Sequence, residues 1–149
     1  MWRVLLGIVL LGTMAAPLTA RAQDECPAYD ATTPEDTASV LIGDFLANGQ
    51  WDMAYEELHP EAQIRVPRQV FAAARQTSAF RAPIVDVEVF PARVSPRWTW
   101  GVTGGGFTNV AEVPVRVSRA TPLGAPPIVQ IVPLVQLGSC WRWLPTVLP

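Results

Sequence analysis

The sequence predicts an α+β domain, with three short N-terminal helices packed on a strongly curved, mainly antiparallel sheet. Two observations carry this. Apolar residues recur at three-four spacing as far as Ala74, then alternate with polar ones from Ile84 onward, with Pro83 at the change. Helices first and strands second is the order of a domain whose helices gather on one face of the sheet. With 149 residues, 50% hydrophobic and 16% charged, the chain suits one such domain and is too apolar for disorder.

Ahead of the domain, residues 1–22 read as a secretory signal peptide. Met1-Trp2-Arg3 gives a positive start, Val4 to Leu11 an apolar stretch, and Ala20-Arg21-Ala22 a small-x-small cleavage site. Residues 23–33 form an irregular lead-in, and 34–149 a single domain. Beyond the leader no apolar run reaches membrane length, so the mature chain is expected to be soluble and secreted or periplasmic. A retained anchor is the alternative, because the apolar run sits at the short end for spanning a bilayer. Cys26 and Cys140 are the only cysteines, and an even count in an exported chain reads as one disulfide.

Thr33-Pro34-Glu35-Asp36 is a helix start: a capping Thr, Pro at the first helical position, and acids in the first turn. Ala38, Leu41, Ile42, Phe45 and Leu46 then draw one apolar stripe, which Asn48-Gly49 ends. Trp51, Ala54, Tyr55 and Leu58 mark a second helix, stopped by His59-Pro60. Glu61 to Val66 fits either a helical turn or a short strand. Pro67 opens the third helix, with Val70, Phe71 and Ala74 on its inner face.

From Ile84 to Phe90, Val85, Val87 and Val89 oppose Asp86 and Glu88, a half-buried strand. Arg97 to Val102 is a second strand, with Trp98 and Trp100 on one face. Thr103 to Gly106 is a turn and Phe107 to Ser118 a third strand. A Pro/Gly-rich hairpin loop spans Arg119 to Pro127. Ile128 to Leu137 is apolar on both faces, hence central. Cys140 to Leu144 closes the sheet with Trp141 and Trp143 on one face. Pro114 and Pro133 each remove a ladder donor, and a bulge or short strand is expected at Pro133.

Several stretches resemble the NTF2-like (cystatin-like, cone-shaped) superfamily, in particular its small exported members. They are Phe45-Leu46-Ala47-Asn48-Gly49-Gln50-Trp51 with Ala54-Tyr55, Leu58-His59-Pro60, and Val66-Pro67-Arg68-Gln69-Val70-Phe71. Val113-Pro114-Val115-Arg116-Val117 and Trp141-Arg142-Trp143 resemble two of its strands, and the likeness covers about Pro34 to Leu144. It implies a cone with a cavity between helices and sheet, used by some relatives for catalysis and by many for binding. Fold alone does not choose between these.

The chemistry is mostly exclusionary. A formal charge of −2 argues against nucleic acid, whose phosphates need a basic face. Lysine is absent, which removes Schiff-base and P-loop chemistry. Gly104-Gly105-Gly106 precedes a strand rather than a helix, so it reads as a turn and not a phosphate cradle. One histidine and a bridged cysteine pair leave no zinc set, and no cofactor is expected. Glu35-Asp36 and Glu56-Glu57 are sequence neighbours that do not face each other, and read as solvated.

Three function classes remain. The favoured one is a non-catalytic exported domain binding a small ligand or an envelope or extracellular partner. Trp98, Trp100, Trp141 and Trp143 are its candidate binding residues, and core packing is the plainer role for them. The alternative is a small isomerase, dehydratase or hydrolase using Asp52, Tyr55 and His59 on one helix face. The third is a purely structural or interaction module.

Overall fold

The structure, a computed structural model, describes residues 31–121 and 123–147. The expected leader and Cys26 lie outside the described residues. The fold is α+β: short helices cover one face of a curled antiparallel sheet. No helix among the described residues is long and apolar enough to cross a membrane.

The first helix, α1 (Pro34–Ser39), begins where its capping Thr33 accepts from the Asp36 amide. It continues without a break as a π-helical segment, Val40–Leu46, seen in the bond from Ala47 N–H to the Ile42 carbonyl. The stripe Ala38, Leu41, Ile42, Phe45 and Leu46 is buried. Next come α2 (Trp51–Glu56), α3 (Pro60–Arg65) and α4 (Arg68–Arg81). Glu61 to Arg65 is therefore helical, because Pro60 takes the first helical position and His59 caps it. On α4, Phe71 is buried while Val70 is half exposed, so the inner face runs through Phe71, Ala74 and Arg75.

The main sheet runs β1-β5-β6-β7, with β2 also pairing β5. Its strands are β1 (Ile84–Val89), β2 (Arg93–Ser95), β5 (Val110–Arg119), β6 (Ile128–Leu137) and β7 (Cys140–Trp143). β3 (Trp98–Thr99) and β4 (Gly106–Phe107) form a separate hairpin. Gly104 in its turn has φ +73°, which only glycine adopts without strain. The long strand expected from Phe107 is broken by a turn in which Asn109 has φ 55°.

Register decides which side chains face the helices. Val113, Val115 and Val117 of β5 lie beside Val132 and Leu134 of β6 on the covered face, all buried. Each such burial contributes about 1.5–3 kcal/mol. In β1 the register shifts between Ile84 and Asp86, so Val85 is the extra residue of a bulge and is exposed. Ile84 takes the inward place that simple alternation gives to Val85. Asp86 and Glu88 fall on the outer face, where Glu88 pairs with Arg116.

Both prolines sit in unbulged register, contrary to the expectation at Pro133. In a strand, a residue's N and C=O point to the same neighbour. The Pro133 carbonyl accepts from Leu144, one residue past the end of β7, and the Pro114 carbonyl from Phe90, one past β1. Each missing donor thus faces a strand that has just ended, and no bond inside the β5–β6 ladder is lost.

Candidate functional site

The acid–base trio does not form a site. α2 ends at Glu56, so His59 leaves the face that Asp52 and Tyr55 were expected to share. Asp52 is exposed and pairs with Arg68. The Tyr55 hydroxyl donates to the carbonyls of Gln63 and Val66, at 3.1 and 2.9 Å. His59 is 8% exposed and belongs to the next helix rather than the last: its Nδ1 accepts from the Glu61 amide. The ring stands edge-on to Phe107.

The chain either side of His59 is bound to the sheet. Trp143 N–H donates to the Glu57 carbonyl at 2.7 Å, and His59 N–H to the Trp143 carbonyl at 2.8 Å. Leu58 and Trp143 so form a parallel bridge that lengthens the sheet by one short segment. Arg142 reinforces it, donating to the Glu56 carbonyl and lying 3.6 Å from the Glu57 carboxylate. Glu57 is 1% exposed, so it is a buried, paired acid and not the solvated one its acidic neighbour suggests. Breaking such a pair on one side costs about 3–5 kcal/mol.

The tryptophans divide. Trp100 is fully buried, its indole N–H donating to the Pro145 carbonyl. Trp143 is buried against Phe71 in an edge-to-face contact. Trp98 and Trp141 are partly buried against the core. Among the four, Trp143 alone lines the main cavity.

That cavity, of about 450 Å³, opens between the helices and the sheet. The π-helical segment supplies Ile42 and Leu46, which its backbone places one above the other on the wall. π-helical turns are frequent at functional sites. Ile84, Val132 and Trp143 come from β1, β6 and β7. Two arginines also line it, Arg75 from α4 and Arg119 from the end of β5, together with Gln130 and Thr146. Arg75 lies over the rings of Trp143 and Phe71, at 5.3 and 5.2 Å. Its burial, and secondarily the charge of Arg119, push its pKa down, though a guanidinium stays charged. Arg119 donates to the Ala82 carbonyl at 2.7 Å.

The sequence reading did not single out either arginine, although a signal for each was present. Arg119 continues the inward alternation of Val113, Val115 and Val117, and Arg75 follows Phe71 by four on α4. No family model, curated protein or solved structure matches the chain.

His59 gives a pH prediction. Desolvation lowers its pKa below the usual 6.5; Glu61 opposes this and Arg142 adds to it. The fold therefore favours neutral imidazole, whereas the unfolded chain takes up a proton near the usual value. Stability from this site is full above that value and is lost as pH falls through the lower folded one. As His59 is the only histidine, urea unfolding midpoints between about pH 7.5 and 5.5 should fall in the parent. They should fall less in His59→Asn, which keeps a capping oxygen. Equal falls in both proteins would refute the assignment.

Proposed function

We propose that this chain is an exported, non-catalytic NTF2-like domain that holds a small ligand in the cavity between its helices and sheet. The observation that carries the reading is the cavity itself. At about 450 Å³ it lies within the usual range for small-molecule sites, and it is walled largely by apolar and aromatic side chains with a few polar groups. The order of helices and strands and the motifs from Phe45 to Trp143 support the family. The motifs in residues 1–22 support export to an oxidising compartment.

The absence of catalysis rests on what the acid–base candidates are doing. Tyr55 is committed to two carbonyls, His59 to the Glu61 amide and Asp52 to Arg68, and none of the three lines the cavity. A general base must reach the proton it removes.

The test is methyl NMR of residues 23–149 titrated with octan-1-ol, a neutral apolar probe. Saturable shifts are expected at Ile42 and Val132, and should vanish in Val132→Trp, whose indole fills the space. Unchanged wall methyls, or the same shifts in the filled variant, would remove the ligand-binding reading.

The mature protein is further proposed to carry a Cys26–Cys140 disulfide. Cys140 is 3% exposed and no free cysteine occurs among the described residues, while Cys26 lies outside them. Closing so long a loop stabilises by about 4–5 kcal/mol in the chain-entropy model. Protein taken from the exported fraction should show no alkylatable thiol after denaturation; two thiols would exclude the bridge.

A further inference from the structure

The cavity's charges are segregated against the trend of the chain. The protein is net acidic, at −2, yet none of the described residues lining the cavity is acidic, and two are arginine. Neither Arg75 nor Arg119 has a carboxylate within ion-pair distance among the described residues, although Arg142, likewise partly buried, has Glu57. The Arg75 Nε is buried and has no hydrogen-bond acceptor. Buried donors are nearly always satisfied, so one left open at a cavity wall points to an acceptor that arrives with a ligand. Two smaller pockets adjoin the main one, and both share Arg119 with it. The positive charge therefore sits where the pockets meet.

Two like charges brought together at a partly buried wall are unfavourable in the empty protein. An anion relieves that repulsion, and guanidinium forks suit carboxylate oxygens in geometry and charge. Beyond the arginines, Gln130 and Thr146 are the polar lining residues, and the rest of the wall is apolar, including Ile42, Leu46, Ile84 and Val132, with the Trp143 ring beneath Arg75. The volume equals about fifteen times a water molecule's share of liquid, which sets the scale of the ligand at roughly that many non-hydrogen atoms.

We infer that the cavity takes a small anionic amphiphile, its carboxylate-type head bound between Arg75 and Arg119 and its apolar body along the wall of Ile42, Leu46 and Val132. This deepens the ligand-binding reading and rests on it. A purely structural Arg75, stacked on Trp143 and Phe71, is the competing explanation for one of the two arginines. Arg119 spends one of its five donors on the Ala82 carbonyl at 2.7 Å, which leaves the others for a ligand.

The experiment compares sodium octanoate with octan-1-ol, equal in chain length and differing in the head, by calorimetry and methyl NMR on residues 23–149. Octanoate should bind at least about tenfold more tightly, the scale of a charge-assisted hydrogen bond. Its affinity should weaken as salt is raised, while that of octan-1-ol should not. Arg119→Gln should lose about tenfold for octanoate and leave octan-1-ol within about twofold. Arg75→Gln should do the same, whereas a merely structural Arg75 would change stability and leave the octanoate to octan-1-ol ratio alone. If either variant fails to fold, the head-group preference and its salt dependence in the parent protein still decide. Equal binding of the two probes would overturn the anionic inference and leave the cavity reading standing. Binding of neither would overturn both.

Discussion

Trp143 is bonded on both sides of its backbone to the chain between α2 and α3, and the arrangement of helices on the sheet depends on that tie. Its N–H and C=O hold Glu57 and His59 at 2.7 and 2.8 Å. The next residue back, Arg142, holds the Glu56 carbonyl and the Glu57 carboxylate. A four-residue strand thereby fixes where α2 stops and where α3 starts. The Trp143 ring, turned to the covered face, lines the cavity and carries Arg75 above it. One residue thus links the sheet edge, the helix corner and the candidate site.

The strands that flank the central pair of the sheet end early. β1 stops at Val89 and β7 at Trp143, each one residue short of a proline on the strand beside it. Proline costs nothing in a ladder position whose partner strand has finished, so the central β5–β6 pair stays continuous while its neighbours peel away. At the other end of β1, the bulge at Val85 turns Ile84 inward beside Arg119. Apolar burial along β5 and β6 supplies the stability. The open end, where the two arginines sit, lies beyond the continuous core.

Much of the fold was legible because periodicity is a strong signal where packing and local preference agree. The stripe from Ala38 to Leu46 and the alternation of Val113, Val115 and Val117 both stand where expected. The misses have physical causes. Leu41, Ile42, Phe45 and Leu46 are all buried in the π-helical segment, as they would be in an α-helix, so nothing in their spacing betrays it. The bulge at Val85 swaps two apolar neighbours, Ile84 and Val85, between faces without changing the pattern. Glu57 was read as solvated because its partner, Arg142, lies far away in sequence, and no local rule pairs them. The same holds for the site: Arg75 and Arg119 come from different elements and meet only when the sheet curls.

The tie at Trp143 is tested most directly by native-state hydrogen exchange. Amides of His59 and Trp143 should exchange as slowly as those of Val113 and Val115, because opening either bond requires lifting the helix corner off the sheet. If they instead exchange like an open loop while β5 and β6 stay protected, the corner is not held by the sheet edge, and the cavity cannot owe its shape to Trp143.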